Sequence, residues 1–171
     1  MIRLEHPNKK QLELISELYH EAFPASERKP FALIKRFMHR GLMDVLAING
    51  DRFLGLAILF RHEHLVLLDY FAIMPDERSR GIGGEVLELI RKRYPDNRIV
   101  LEIEDGEDEE MLRRRQFYLR NGFTETGIRI TLFGVPMALL IDGGELRYLQ
   151  YRRLMKKLLG PLMIRTVLQR R

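Results

Sequence analysis

The 171 residues contain no cysteine and no tryptophan. Without cysteine there is no disulfide framework, no thiolate nucleophile and no zinc–thiolate site. Aromatic residues are few, at 9%. No apolar run approaches the ~20 residues that a membrane-spanning helix requires. The opening stretch Met1-Ile2-Arg3-Leu4-Glu5-His6-Pro7 lacks the apolar segment of a secretion signal. These absences make a cytoplasmic protein the expectation. There is also no internal repeat, low-complexity tract or Pro/Gly/Ser linker, so the sequence shows no credible internal domain boundary.

What is present has a globular balance, 46% hydrophobic and 31% charged residues. That length and balance suit one domain with a substantial core. The net charge of +5 is unevenly placed. Residues 145–171 hold eight Arg and Lys against the single acid Glu145, and the remainder holds 21 basic and 23 acidic residues. The basicity therefore belongs to a C-terminal segment, and nucleic acid is not the expected partner of the domain as a whole.

Periodicity gives the order of elements. Residues 2–5 read as a short strand. Residues 8–23 and 30–40 read as helices, separated by a loop at 23–30 that carries Pro24 and Pro30. Apolar runs at 44–49 and 52–61 flank Asn49-Gly50-Asp51, a tight hairpin signal. A third run covers 64–73, where Pro75 stops the strand. A helix at 84–94, a strand at 98–104 and a helix at 107–121 follow, the last with Glu107, Asp108, Glu109 and Glu110 expected in its first turn. Residues 123–133 and 136–141 form a second hairpin. From 145 onward the chain reads as helix, broken at Gly160-Pro161. The expectation is an α/β (α+β) fold with a mixed, mostly antiparallel central sheet of six to seven strands flanked by helices. Residues 1–144 form the domain, and 145–171 form a basic helical extension packed on it.

Between the third run and the next helix stands Arg78-Ser79-Arg80-Gly81-Ile82-Gly83-Gly84. Glycines permit positive φ and close approach of a ligand to the amides. A helix N-terminus adds unpaired N–H donors and partial positive charge. Arg78 and Arg80 add charge-assisted donors. A pyrophosphate is the natural guest of such a loop. A Walker loop is excluded, because Gly83-Gly84-Glu85 lacks the lysine and hydroxyl. A dinucleotide fingerprint is disfavoured, because antiparallel hairpins precede the loop.

With Phe117-Tyr118-Leu119-Arg120-Asn121-Gly122-Phe123 further along, the chain resembles the GNAT superfamily of acyl-CoA N-acyltransferases over roughly residues 1–141. Arg78, Gly81 and Gly83 match that family's pyrophosphate loop, and the aromatic-Tyr pair before Gly-Phe matches its second signature. The resemblance implies an acetyl-CoA-dependent acyltransferase acting on a small-molecule or peptide amine, without a metal. It implies that backbone groups of Phe71, Ala72 and Ile73 pair with the pantetheine arm, as a peptide adds to a sheet edge. It also implies that Arg78, Ser79, Arg80, Gly81, Ile82, Gly83 and Gly84 hold the pyrophosphate, and that Tyr118 lies near the CoA sulfur. Arg113-Arg114-Arg115 departs from the family's frequent Asn-x-x-Ala pattern, which puts a CoA-facing asparagine contact in doubt here.

Acyl transfer to an amine poses two proton problems. An alkyl ammonium of pKa ~10.4 must lose a proton, at a cost of roughly 4–5 kcal/mol at pH 7. The departing thiolate, of pKa ~8.5, leaves more readily if it receives a proton or hydrogen bond. Glu102 and Glu104 share one face of the strand from 98, and carboxylates in an aliphatic strand are costly unless paired or facing a cleft. Glu104 is the first candidate base and Glu102 the second; pairing with arginine is the alternative for each. Asp69, inside Leu67-Leu68-Asp69-Tyr70-Phe71, and Glu27, in the 23–30 loop, are candidates to receive a cationic amine. The basic C-terminal helix remains open to several readings: a cap on the sheet edge, a homodimer seam, or a surface for RNA, an acidic partner or a membrane.

Overall fold

A computed structural model describes residues 1–171. The strands are β1 (Arg3–Glu5), β2 (Met43–Asn49), β3 (Phe53–His62), β4 (Leu65–Ile73), β5 (Arg98–Glu104), β6 (Thr124–Leu132), β7 (Val135–Asp142) and β8 (Leu168–Arg170). The helices are α1 (Lys9–Ala22), α2 (Phe31–His39), α3 (Ile82–Arg93), α4 (Glu109–Arg120), α5 (Tyr148–Leu159) and α6 (Pro161–Val167). The strands hydrogen-bond in the order β1-β2-β3-β4-β5-β7-β6-β8. The sheet is mixed and mostly antiparallel, as expected. It has eight strands, more than the six to seven expected, because the chain does not end in helix. Leu168–Arg170 leaves α6 and pairs with β6, Leu132 opposite Leu168.

The chain packs as two compact units, residues 1–60 with 68–95 and residues 61–67 with 96–171. In the first unit, Ile15, Leu18 and Tyr19 of α1 and Ile34 of α2 are buried, as are Val45 to Ile48 of β2 and Leu56 to Phe60 of β3. The apolar positions of α1 recur at helical spacing, which is why one stripe turns inward. Asn8 caps α1 by accepting from the Gln11 amide at 2.9 Å, while the Gln11 side chain accepts from the Asn8 amide at 3.0 Å, a reciprocal capping box. Gly55 is required in β3: an added Cβ would lie 2.3 Å from the Ala72 carbonyl oxygen.

In the second unit, β5 pairs antiparallel with β7, so Glu102 lies opposite Leu139 and Glu104 opposite Met137. The first residues of β4 pair in parallel with β5, Leu65 with Arg98 through Leu67 with Val100. Asp108 caps α4 by accepting from the Met111 amide at 2.9 Å. Glu107 therefore precedes the helix, and only Glu109 and Glu110 occupy its first turn. A bulge interrupts β6 between Glu125 and Arg129, where Gly127 takes φ 72°. The inner face of α5, Tyr151, Leu154, Met155 and Leu158, is buried.

Candidate functional site

The first unit carries the glycine loop. β4 ends at Ile73, Pro75–Glu77 makes one tight turn, and α3 opens at Ile82 with Gly81 as its cap. The helix thus starts two residues earlier than its apolar spacing indicates, and Gly83 and Gly84 sit in its first turn. The reason is Gly81, whose φ of 79° and ψ of −8° close the loop in the left-handed region. Ser79 adopts the same region with φ 62°, where a non-glycine residue is uncommon and strained. Alternating left-handed residues turn successive amides toward one concavity, a form that receives anions. A Cβ added at Gly81 would meet nothing within 4 Å, so a phosphate can approach the loop amides. These residues fit the pyrophosphate of an acyl-CoA.

Charge around the loop is organised by Glu77, a buried carboxylate at 5% exposure. Arg80 donates to its Oε2 at 3.1 Å, and Arg52, from the β2–β3 turn, donates to its Oε1. Arg52 also reaches Asp76 at 3.2 Å. Bonding to Glu77, then the field of Glu77 and Asp76, raises the Arg52 guanidinium further above its usual value. Arg78 folds back, its Nε donating to the Ile73 carbonyl at 3.1 Å. The loop is therefore splinted at both ends, to the end of β4 and to the β2–β3 turn. The role of Glu77 was hidden because one of its two partners, Arg52, is 25 residues away in sequence.

β4 supplies Phe71, Ala72 and Ile73. Its parallel pairing with β5 runs from Leu65 to Leu67 and does not reach these three residues. Asp69, on the same strand, is not free to meet an amine. Lys29 Nζ lies 2.9 Å from Oδ1 and 2.8 Å from Oδ2, and the two side chains are 13% and 5% exposed. Tyr70 extends the attachment: its hydroxyl donates to the Glu27 carbonyl and accepts from the Lys29 amide, at 2.9 and 3.0 Å. Tyr19 donates to the Lys29 carbonyl at 2.9 Å, and burial, then bonding to Tyr70, raises its hydroxyl well above the tyrosine range. Glu27 is thereby placed by its backbone, half-buried in a loop held on β4.

The second unit carries the other candidates. Tyr118 lies in the last turns of α4 and is 8% exposed. Its ring meets Phe117 and Phe123 edge-on, with centroids 5.1 and 5.5 Å away. Burial pushes its hydroxyl up to about 12, with Arg114 opposing. Tyr118 is thus a protonated donor throughout the neutral range. Glu102 accepts a hydrogen bond from the hydroxyl of Tyr151, a fully buried residue of α5. Glu104 is half-buried at the C-terminal end of β5. Next to it, Asp105 gathers Arg115 at 3.1 Å, Arg129 at 3.2 Å and Arg171 at 3.4 Å, so Asp105 rather than Glu104 takes the arginines of this region. No group of three or more His, Cys, Asp or Glu side chains is arranged to hold a metal ion.

The sequence profile of the acetyltransferase (GNAT) family matches residues 12–123, the span that includes both the glycine loop and Tyr118. The chain belongs to the GNAT family of acetyltransferases. A sequence search of curated proteins finds no match. Solved structures share the GNAT fold. One is a GNAT-family protein from Bacteroides thetaiotaomicron, 23% identical, with TM-score 0.79 over 93% of this chain and 99% of that one. An aminoglycoside 6'-N-acetyltransferase complexed with coenzyme A is 14% identical, with TM-score 0.68 over 83% and 96%. The Escherichia coli ribosomal-protein-S18-alanine N-acetyltransferase is 18% identical, with TM-score 0.62 over 86% and 99%. At these identities the likeness is one of fold. Residues 145–171 belong to the same compact unit as residues 96–144.

Proposed function

We propose that this protein is an N-acetyltransferase that moves an acetyl group from acetyl-CoA to a primary amine in a ternary complex. The observation that carries the reading is the loop of residues 78–84, with Ser79 and Gly81 left-handed at the mouth of α3. Bound acetyl-CoA supplies a thioester carbon; the amine forms its N–C bond there as the C–S bond breaks. The loop amides and the N-terminus of α3 hold the pyrophosphate, with Arg78 and Arg80 adding charge. The backbone of β4 at Phe71, Ala72 and Ile73 receives the pantetheine arm as a strand would.

Tyr118 serves as the acid, giving a proton or hydrogen bond to the leaving sulfur; its raised hydroxyl keeps the proton available at neutral pH. Glu104 is the base that receives the ammonium proton, and Glu102, already engaged by Tyr151, is the second choice. Asp69 is better read as the anchor of the 23–30 loop, through Lys29, than as a contact for the amine. Glu27, on that anchored loop, keeps the role of receiving the cationic acceptor. The catalytic domain ends near residue 144, and residues 145–171 are an extension packed onto it. Spermidine, an aminoglycoside and an alanine of ribosomal protein S18 are the acceptors named for enzymes of this fold; they define the first panel to screen.

The test is binding. Acetyl-CoA is expected to raise the melting temperature of the wild-type protein, and Gly83→Asp to abolish that shift by setting a carboxylate against the phosphates. Absence of both a shift and calorimetric heat with wild-type protein overturns the reading.

A further inference from the structure

The catalytic reading leaves the basic extension unused. Its helix α5 has two different faces. Tyr151, Leu154, Met155 and Leu158 point inward and are buried. Arg152, Arg153, Lys156 and Lys157 occupy the opposite face and are all exposed. None of these four cations is held in an ion pair, whereas Arg113 and Arg114 of α4 each pair with a glutamate one turn earlier, at 2.7 and 3.1 Å. The α5 stripe is therefore an uncompensated positive surface.

The corner that follows adds a second feature. Gly160, with φ 87° and ψ 161°, breaks the helix, and Pro161, Leu162 and Met163 come out exposed in succession. Leu162 is 80% and Met163 48% exposed, and Ile164 behind them is buried at 2% and fixes the turn. Lys156 and Lys157 precede this apolar tip and the exposed Arg165 follows it.

We infer that the α5–α6 corner docks on an anionic lipid surface, with the lysines and arginines at the headgroups and Leu162 and Met163 entering the interface. An apolar tip between cations suits the boundary between headgroup and acyl chain. Single-stranded nucleic acid would call for exposed aromatic platforms. The aromatic residues of the extension do not provide them: Tyr151 is buried, and the Tyr148 ring is covered by Arg170 at 5.2 Å. A twofold seam through this face would set the α5 cations against their own copies, which is repulsive. The apolar face of α5 is spent inside the fold, so the contact is peripheral and reversible.

Co-sedimentation of the full chain with vesicles decides the matter. The protein is expected to pellet with vesicles of equal parts phosphatidylcholine and phosphatidylglycerol, to remain in solution with phosphatidylcholine alone, and to be released by salt. Leu162→Glu with Met163→Glu, and separately Lys156→Glu with Lys157→Glu, are each expected to weaken binding by at least about tenfold. Both variants should keep the wild-type melting temperature and its shift with acetyl-CoA. No pelleting with anionic vesicles overturns the inference, and so does binding indifferent to the Leu162/Met163 change. Tighter capture of single-stranded RNA, unaffected by that change, overturns it in favour of nucleic acid.

Discussion

Lys29 places its ammonium between both carboxylate oxygens of Asp69, 2.9 and 2.8 Å away, with almost no solvent around either side chain. The pair links the loop after α1 to β4, the strand that ends at the glycine loop. Removing one partner leaves the other charge buried and uncompensated. Asp69→Asn and Lys29→Met are each expected to lower stability by about 3–5 kcal/mol, and the pair Asp69→Leu with Lys29→Leu to lower it by much less. Urea unfolding of the three variants measures this; equal losses in singles and double would show that the pair is not the source.

Tyr118→Phe removes a hydroxyl and leaves the ring contacts with Phe117 and Phe123 in place. Turnover is expected to fall by roughly 10²–10⁴-fold with acetyl-CoA affinity changed little. The opposite split, weak binding and intact turnover, would assign Tyr118 to binding.

The same residue makes an alkaline prediction. Its hydroxyl is raised in the folded protein from 10.0 to about 12 by burial. The folded state thus holds this proton more tightly than the unfolded chain. The resulting stability is complete below pH 10 and is lost as pH rises toward 12. Melting temperature should fall across that window, less steeply in Tyr118→Phe, with tyrosinate absorbance rising in step.

Glu104→Gln is expected to lower turnover more than Glu102→Gln at neutral pH, and to regain activity as pH rises and the free amine becomes populated. An initial-rate profile from neutral pH to above the acceptor's pKa tests this. Equal wild-type rates for Glu104→Gln across the range would remove Glu104 from the mechanism.

Gly55→Ala tests the backbone that supports the site. The added methyl would lie 2.3 Å from the Ala72 carbonyl oxygen, so β3 and β4 must separate. A loss of about 1–3 kcal/mol is expected from overpacking, read as a lower urea midpoint, with weaker acetyl-CoA binding because Ala72 belongs to the segment proposed to hold the pantetheine arm.

The sequence order alone carried much of this. Alternating and helical apolar spacings marked the elements before Gly144, because each one buries a face against the others and must repeat at its own period. The Arg78–Gly84 glycines were legible for a different reason: positive φ and close approach to a ligand restrict residue type at single positions. The Phe117-Tyr118 pair and Gly122-Phe123 were legible as a local motif.

Side-chain partnership was not legible. Asp69 and Glu77 look alike in sequence to any candidate carboxylate, and only the fold brings Lys29 across 40 residues to the first and Arg52 across 25 to the second. Tyr151 reaches Glu102 across 49 residues. The strand at Leu168–Arg170 is three residues long, too short to show a period, and exists because β6 offers it an edge. Local periodicity thus marked the elements, and the glycine loop with the Phe117-Tyr118 motif marked the resemblance to the family, from the sequence alone. Which acids remain available for chemistry was decided by tertiary structure alone, because an ion pair depends on distance in space and leaves no spacing in the chain.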